Sequence, residues 1–426
     1  MINLSLELTN SQYKLEDICL QITDGKHGDC ENQENSGYYF VSVKDIGDGI
    51  IDYSNARQIT KSDFEDTDKR TKLENEDILI TNSGTIGKFV FVNSPLSRKT
   101  TFQKSVAIIK PNKNKIIPKF LYYYLISEKR RLIEYAGGTT QKNLLLRDIR
   151  NFEVDVPNES QQKKIIEILN NIDQLISVNK KLNKNLDELL MSIFKSWFVY
   201  FDDVDEFKSD ENLGEIPKSW SVEMLEDYVD FVTGVEPGSK NYHEKPEKND
   251  IPFIRVGDLG SRDNLVFIDK SVSKNKILKY EDIVLSMDAT IGIVKMGLEG
   301  AYSTGMRKLV IKNDLINKPF LYCLVKSERI QRIIETFATG TTILHAGKSI
   351  KHMNFVLSDE MTMKNFGKIG ENILTRILSN MKEIEKLTQL RDTLLPKLMS
   401  GEIDVSKINC DIILRLINLH FFYILI

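Results

Sequence analysis

Three short segments contain residue types that could act on a phosphate or on a nucleic-acid backbone. Gly347-Lys348-Ser349 resembles the end of a phosphate-binding loop, but the glycine required five residues earlier is replaced by Thr342. Residues 84–88 (GTIGK) lack the leading glycine and the final hydroxyl, and residues 206–208 (EFK) match only half of a nuclease pattern. We interpret all three as structural segments, which argues against nucleotide hydrolysis and strand cleavage by this chain.

Other catalytic and metal-binding patterns are also missing from the sequence. There is no Asn/Asp-Pro-Pro-Tyr/Phe segment to hold a flipped adenine, and the histidines recur at no equivalent positions of the internal repeat described below. The four cysteines form no C-x-x-C pair, which argues against a zinc site or a disulfide framework. We therefore expect no catalytic residue, no metal and no cofactor in this chain. Residues 1–10 show no signal-peptide pattern, and we expect a cytoplasmic protein.

Turns rich in glycine and hydroxyl groups, flanked by cations, suit DNA better than a small molecule. Glycine allows close backbone approach, lysine and arginine meet phosphates, and Gln, Asn, Arg and Thr can reach base edges. The candidate DNA contacts are Lys88, Arg98, Lys99, Lys104, Thr140, Gln141, Lys142, Asn143, Arg147, Lys295, Arg307, Lys308, Thr341, Thr342, Lys348 and Lys351.

The charge distribution supports this interpretation although the net charge is −3. Residues 1–80 carry an excess of nine acidic residues, whereas residues 81–150 carry an excess of 11 basic ones. Residues 201–285 again carry an excess of nine acidic residues, and residues 286–353 an excess of five basic ones. The repeated change of sign predicts two local basic faces.

The elements that must position these turns are written twice. Residues 40–46 (FVSVKDI) return as 253–259 (FIRVGDL), and residues 76–79 (EDIL) return as 281–284 (EDIV). Both pairs read as short buried strands ending in a turn. Further echoes, such as residues 120–122 and 320–322 (both FLY), keep an offset of about 200 to 213 residues. The sequence therefore predicts two copies of one α/β unit.

Each copy ends in a long helical pattern with a narrow apolar seam. Two such seams could pair as a coiled coil, in which a buried asparagine fixes the register, or each helix could pack on its own domain. At 1.5 Å per residue these patterns reach roughly 50 Å, which favours spacers or partner surfaces. The predicted seam residues are Ile172, Leu175, Asn179, Leu182, Leu186, Leu189, Ile377, Asn380, Ile384, Leu387 and Leu394.

Four segments resemble the DNA-specificity subunit of type I restriction-modification systems, and the resemblance extends through about Val405. They are residues 138–144 (GTTQKNL), 192–202 (SIFKSWFVYFD), 213–220 (LGEIPKSW) and 394–403 (LLPKLMSGEI). Two departures stand out. The second exit, residues 340–345 (GTTILH), lacks the Gln-Lys-Asn of the first, and the apolar tail 406–426 has no counterpart in the first copy. Its charged and polar residues make that tail a poor membrane span.

The resemblance implies an α/β (α+β) fold with a pseudo-two-fold internal repeat, in which two similar target-recognition domains are separated by two long helices forming an antiparallel coiled coil. The expected segments are domain 1 (1–157), the central helix (158–200), an acidic linker (201–214), domain 2 (215–362), the C-terminal helix (363–405) and the tail (406–426).

The resemblance further implies that each domain binds one half of an interrupted double-stranded DNA site. Two modification subunits, bringing S-adenosylmethionine for adenine N6 methylation, and ATP- and magnesium-dependent restriction subunits would be the partners, with no membrane. Two alternatives remain from the residues alone. One is a coiled-coil interaction protein with no nucleic-acid role, and the other, weakened by the missing motifs, is a self-contained nuclease or methyltransferase.

Overall fold

The computed structural model describes residues 11–47, 49–137, 143–202, 204–211, 213–260 and 265–407. They form two units. The first contains the described residues up to Gln174 together with those from Thr388 onward, and the second is Leu175–Leu387. The predicted contacts Thr140, Gln141 and Lys142 and the tail beyond Lys407 lie outside the described residues.

The first unit contains one strand pair and two sheets. A four-stranded antiparallel sheet has the order β2-β8-β5-β6, a three-stranded sheet has the order β4-β3-β7 with β3 and β7 parallel, and β1 pairs with β9. The strands are β1 (Ser11–Lys14), β2 (Cys19–Asp24), β3 (Tyr39–Val41), β4 (Arg57–Gln58), β5 (Ile78–Thr81), β6 (Phe89–Phe91), β7 (Thr100–Phe102), β8 (Val106–Pro111) and β9 (Glu153–Val156). Every residue of β5 and β8 is buried, which explains their continuous apolar runs.

Four short helices complete this part of the first unit: α1 (Lys61–Thr71), α2 (Pro118–Ser127), α3 (Lys129–Glu134) and α4 (Leu146–Arg150). Thr60 caps α1 by accepting a hydrogen bond from the Asp63 amide at 3.2 Å. A proline begins α2, and residues 120–125 of this helix are all buried, so it is a core helix and not an amphipathic one.

The second unit repeats this arrangement. Its four-stranded antiparallel sheet has the order β13-β20-β17-β18, its other sheet has the order β15-β14-β19-β16 with β14 and β19 parallel, and β12 pairs with β21. The strands are β10 (Phe207–Asp210), β11 (Gly214–Pro217), β12 (Ser221–Met224), β13 (Val229–Thr233), β14 (Asp250–Ile254), β15 (Val266–Asp269), β16 (Ile277–Leu278), β17 (Ile283–Ser286), β18 (Val294–Lys295), β19 (Gly300–Tyr302), β20 (Met306–Ile311) and β21 (Asn354–Leu357). The four-stranded antiparallel sheets have matching orders, and β15-β14-β19 matches β4-β3-β7 with β16 as an additional strand, which confirms the predicted repeat.

Helices α6 (Leu225–Tyr228), α7 (Lys318–Lys326) and α8 (Glu328–Thr336) belong to the second unit. Asn317 caps α7 by accepting from the Phe320 amide at 3.0 Å, and the repeated Phe-Leu-Tyr lies in the buried first turns of α2 and α7. The segment expected to be an acidic linker contains regular structure, because β10 and β11 pair as a hairpin.

Two long helices follow the two domains, α5 (Glu159–Lys195) and α9 (Glu360–Met399). A π-helical turn at Ser196–Tyr200 ends the first, and the second begins three residues before the expected position 363. Neither helix is a free spacer. In the first unit Ile168, Leu169 and Leu398 lie in the same core, and in the second unit Phe194, Phe366 and Leu374 do so.

Within each unit the two helices run antiparallel. In the first, Arg391 Nη1 lies 3.2 Å from Asp173 Oδ1, and Lys164 Nζ donates to Val405 O at 3.3 Å. In the second, Asn380 Nδ2 donates to Asn183 Oδ1 at 2.7 Å, and Phe194 contacts Phe366. Low residue numbers on one helix therefore meet high numbers on the other, as expected for an antiparallel pair.

The predicted seam residues are buried or partly buried, with one exception. Leu189 is 50% exposed, whereas its neighbour Leu190 is fully buried. An α-helix returns to the same face after about 18 residues, or five turns, which places Leu190 and not Leu189 on the face of Ile172. Ile172, Asn179 and Asn380 are buried, and the other predicted seam residues are partly buried: Leu175, Leu182, Leu186, Ile377, Ile384, Leu387 and Leu394.

The two buried asparagines behave differently. Asn380 bonds with Asn183, whose Nδ2 in turn donates to Ile377 O at 3.1 Å, so this pair ties α9 to α5 at one register. Asn183 was not among the predicted seam residues. Neither amide atom of Asn179 has a hydrogen-bond partner among the described residues. Asn380 therefore has the geometry of a register-fixing residue, and Asn179 does not.

In both units a tyrosine of the α/β domain bonds to an aspartate of α5. Tyr123 OH donates to Asp173 Oδ2 at 2.7 Å in the first unit, and Tyr322 OH donates to Asp187 Oδ1 at 2.8 Å in the second. Lys326 Nζ also lies 2.6 Å from the Asp187 carboxylate. Burial, with the adjacent carboxylate adding to it, raises the pKa of both tyrosines. These phenols therefore stay protonated and act as donors.

Replacing Asp187 with alanine should destabilise the second unit by about 1–3 kcal/mol, because the Tyr322 and Lys326 donors lose a charged acceptor. The two tryptophans, Trp197 and Trp220, both lie in the core region of this unit. Urea unfolding followed by tryptophan fluorescence measures the change. Glu188→Gln is the control, because the Lys184–Glu188 pair is exposed and separated by 3.8 Å. Equal unfolding midpoints for the two variants would contradict the assignment.

Candidate nucleic-acid interface

Several loops of the first unit meet at one end of its four-stranded sheet. We call residues 25–27, 82–88, 103–105 and 143–147 the first loop face. Main-chain hydrogen bonds join these segments: Lys104 N donates to Lys26 O at 3.0 Å, Asn82 N to Ser105 O at 3.0 Å, and Leu144 N to Asn82 O at 2.8 Å. Turns separated by more than a hundred residues in sequence thus form one surface.

The second unit builds the same surface from its own loops. We call residues 234–235, 287–293, 303–305 and 339–348 the second loop face. Met287 N donates to Gly305 O at 2.8 Å, and Ala346 N donates to Met287 O at 2.7 Å. Thr339 and His345 exchange two main-chain hydrogen bonds of 3.0 and 2.8 Å, as Gly137 and Asn143 do at 3.1 and 2.9 Å in the first unit. The two exit turns therefore have equivalent anchors.

One glycine per unit permits this convergence. A Cβ on Gly25 would lie 1.9 Å from Phe102 O, and one on Gly234 would lie 2.1 Å from Tyr302 O. The next residue in each case, Lys26 or Val235, donates its amide to the same carbonyl. Sequence reasoning missed both glycines, although each directly follows an equivalent strand, β2 or β13, and could have been found as a repeated position.

The repeated turn after the central strand is structural, as the sequence predicted. Thr81 Oγ1 donates to Thr85 O at 2.5 Å, and Ser286 Oγ donates to Thr290 O at 2.6 Å. The same hydroxyls accept from the Lys88 amide at 3.0 Å and from the Ile293 amide at 2.8 Å. The hydroxyl group thus closes the turn in both units, and nothing in this geometry resembles a phosphate-binding loop.

The predicted cations of the first unit have different surroundings. Lys104 is exposed on the first loop face, and its ammonium has no partner among the described residues. Arg147, which follows the exit turn in sequence, is exposed and pairs with Asp148 at 3.3 Å. The predicted contact Asn143 is also exposed. Lys88 points inward, because its Nζ donates to Ile46 O at 2.9 Å.

Arg98 and Lys99 lie elsewhere. They precede β7, whereas the first loop face follows this strand, and Arg98 pairs at 2.8 Å with Glu74, which precedes β5. Both side chains are exposed, but the structure does not bring them together with Lys104.

The second unit shows a similar division. Lys348 and Lys351 are exposed without partners in the described part of the chain, and Thr341 and Thr342 are exposed at the exit turn. Lys295 is exposed on the short strand β18, beside this turn-bearing end of the sheet.

Two other predicted cations of the second unit make internal contacts. Arg307 Nη1 donates to Thr304 O at 2.6 Å, and burial lowers the pKa of this guanidinium, which still carries its charge at neutral pH. Lys308 pairs with Asp282 at 2.6 Å. In the first unit the equivalent aspartate, Asp77, forms a buried pair with Lys110 at 2.6 Å, and burial raises the pKa of Asp77. The repeated aspartate therefore holds a lysine of the neighbouring strand.

The described residues contain no group of three or more potential metal-binding side chains and no helix long and apolar enough to cross a membrane.

A duplicated α/β unit that presents one hydrogen-bonded loop face per copy defines a protein with two related recognition modules. The family model described as "Type I restriction modification DNA specificity domain" matches this chain twice, over residues 9–188 and 217–355. The chain belongs to this family.

Individual relatives carry similar names. The specificity subunit of the type I restriction enzyme HindI from Haemophilus influenzae is 24% identical over 388 residues, covering 74% of this chain and 84% of that protein. The MjaIX specificity subunit of Methanocaldococcus jannaschii is 26% identical and covers 78% of each chain. The crystal structure of a type I S subunit from M. genitalium aligns over 93% of this chain and 98% of that one, with 18% identity and a TM-score of 0.49.

Gly340→Ala should loosen the exit turn of the second unit. Gly340 has φ +107°, and an added Cβ would lie 2.1 Å from Ile343 O, so the backbone must shift at a cost of about 1–3 kcal/mol. We expect the amides of Thr339 and His345 to exchange hydrogen about tenfold faster or more, as measured by hydrogen-exchange mass spectrometry. Gly347→Ala is the control, because its Cβ would lie 3.9 Å from the nearest atom, on Arg307. Unchanged exchange in the Gly340 variant would show that the turn is not strained.

Proposed function

We propose that this chain is the specificity subunit of a type I restriction-modification complex, and that it reads an interrupted double-stranded DNA site with one half-site bound by each loop face. The observation that carries the proposal is that the exit turns of the two units share the same main-chain hydrogen bonds but have different side chains. Equivalent hydrogen bonds hold both exit turns, yet residues 141–143 (QKN) stand where residues 343–345 (ILH) stand in the second unit. One scaffold with two side-chain sets suits two different half-sites.

Electrostatics supports DNA as the ligand. The excesses of 11 and five basic residues occur in the segments that supply most of the two loop faces. Lys104, Lys348 and Lys351 are exposed and are not neutralised by described neighbours. Uncommitted ammonium groups can replace the counterions of phosphates, which gives affinity that depends on salt. A coiled-coil protein without a nucleic-acid role would need no such groups, and the family match also disfavours that alternative.

The chain is proposed to act without catalysis of its own. Each segment that could suggest chemistry makes structural contacts: Ser349 Oγ is buried and donates to Ala346 O at 2.7 Å, and Lys208 Nζ donates to Trp220 O at 2.6 Å. We propose that S-adenosylmethionine, ATP and magnesium are bound by partner subunits, namely two adenine methyltransferase subunits and the restriction subunits. A cytoplasmic location is part of the same proposal, because restriction-modification acts on intracellular DNA.

Replacing residues 83–150 with the equivalent region of a relative should change one half of the methylated motif, because these residues supply most of the first loop face. Sequencing of N6-methyladenine in host DNA measures the motif. The reciprocal control replaces residues 287–353, which should change only the other half. A motif that stays the same after both replacements would rule out the proposed division of recognition.

Lys104→Gln should lower the affinity of the assembled complex for its DNA site and reduce the slope of log affinity against log salt concentration by about one, since one phosphate contact contributes about 0.9. Lys88→Gln is the matched control from the same basic segment, because its ammonium is bound to Ile46 O. We expect its salt slope to equal that of the wild type. Fluorescence anisotropy titrations at several salt concentrations give both slopes, and equal slopes for all three proteins would exclude Lys104 as a phosphate contact.

A further inference from the structure

The tip of the second exit turn presents two adjacent aliphatic side chains to solvent. Ile343 is 54% exposed and Leu344 is 40% exposed. They are the last two residues of the five-residue turn that is closed by the main-chain hydrogen bonds between Thr339 and His345. Fully burying an aliphatic side chain of this size contributes about 1.5–3 kcal/mol of favourable free energy. A ligand that covered this pair would therefore gain apolar burial that the unit itself does not provide.

The turn holds these side chains outward. Leu344 O accepts from the Ala289 amide at 2.9 Å, and His345 Nδ1 lies 2.8 Å from Asp288 Oδ1. Gly340, with positive φ, lies directly against Ile343 O. The backbone on both sides of the pair is therefore fixed to the rest of the second loop face. A rigid turn of this kind can place two methyl-bearing side chains against a ligand with little loss of conformational entropy.

The surroundings favour DNA as the partner that covers the pair. Thr341 and Thr342 precede it, the cations Lys348 and Lys351 follow it in the next helical turn, and both lysines are exposed. The first unit has Gln141 and Lys142 at the equivalent positions. A protein subunit docking in the same way on both units would meet opposite chemistry at these two positions. Half-sites of different sequence would require such a difference.

We propose that Ile343 and Leu344 contact the C5-methyl groups of thymine in the half-site bound by the second unit. This inference rests on the proposed function and specifies how one half-site is read. The thymine methyl is the apolar group that base edges offer in the major groove, whereas Gln and Lys bond to the polar edges of adenine and guanine. The second half-site therefore contains at least one A·T pair recognised through its methyl group.

Replacing thymine by deoxyuridine tests the proposal directly, because this change removes only the methyl group. The assembled complex is titrated with duplexes that carry the methylated motif and a single deoxyuridine at each thymine of the second half-site in turn. We expect affinity to fall about fourfold at each contacted position, the value for one buried methyl group. Deoxyuridine in the first half-site serves as the internal reference.

Two variants connect this effect to the turn. Ile343→Ala with Leu344→Ala should lower affinity about tenfold and abolish the difference between thymine and deoxyuridine duplexes. Leu315→Ala is the matched control, because Leu315 is an exposed aliphatic residue of the same unit that follows β20, at the other end of the strand from the second loop face. It should leave both affinity and discrimination unchanged.

Three results would overturn the inference. One such result is that the half-site bound by the second unit contains no A·T pair, or that the complex binds thymine and deoxyuridine duplexes with equal affinity at every position. The second is increased fluorescence of 2-aminopurine next to the contacted step without methyl discrimination, which would mean that the pair wedges between bases. The third is loss of methyltransferase-subunit binding in the double variant with DNA affinity retained, which would mark a protein contact. If the proposed function itself failed, the complex would not select the motif in either half-site.

Discussion

Burial of α5 and α9 in the cores of both units is the constraint on which the rest of the structure depends. Ile165, Ile168 and Leu169 of α5 share a core with Leu395 and Leu398 of α9, although more than 220 residues separate them in sequence. Each such side chain contributes about 1.5–3 kcal/mol when it leaves water, as an upper estimate. The first recognition domain is therefore completed by residues from the far end of the described chain, and a break in either helix removes part of two cores.

Polar contacts fix what apolar burial leaves free. Apolar faces tolerate sliding by a turn, but the Asn380–Asn183 bond and the tyrosine–aspartate contacts satisfy their donors at one register only. Both aspartates, Asp173 and Asp187, come from α5, so a single helix carries the polar anchor of each domain. The two tyrosines are not equivalent positions of the repeat. The repeated Phe-Leu-Tyr aligns Tyr322 with Tyr122, whereas the first unit uses the next residue, Tyr123. The two units therefore bond to α5 through tyrosines at different positions of the repeat.

The sequence predicted the repeat, the helices and most of the seam, because these depend on periodicity, which a chain displays locally. It misplaced Leu189, because a seam read in steps of three and four drifts from the 3.6-residue turn. It also could not separate Lys104 from Lys88, or Lys348 from Lys308. Whether a lysine faces solvent depends on what the fold brings beside it, and Ile46 O and Asp282 come from elsewhere in the chain. The glycines at positions 25 and 234 are a repeated position that could have been recognised from the sequence, but the strand patterns did not include them.

The loop faces can differ in specificity because their frame is made of main-chain atoms. The main-chain carbonyls of Asn82 and Met287 are equivalent, because each accepts the amide hydrogen bond that fixes the exit turn of its unit. The side chains of these two residues take no part in that bond. Where the frame needs a particular residue it has one, since only glycine fits against Phe102 O and Tyr302 O. The side chains of residues 343 and 344 are not needed for the main-chain hydrogen bonds that hold the turn. A change from Gln-Lys to Ile-Leu at a tip therefore alters the chemistry offered to a ligand while the hydrogen bonds that position the turn stay intact, which allows one fold to serve two different half-sites.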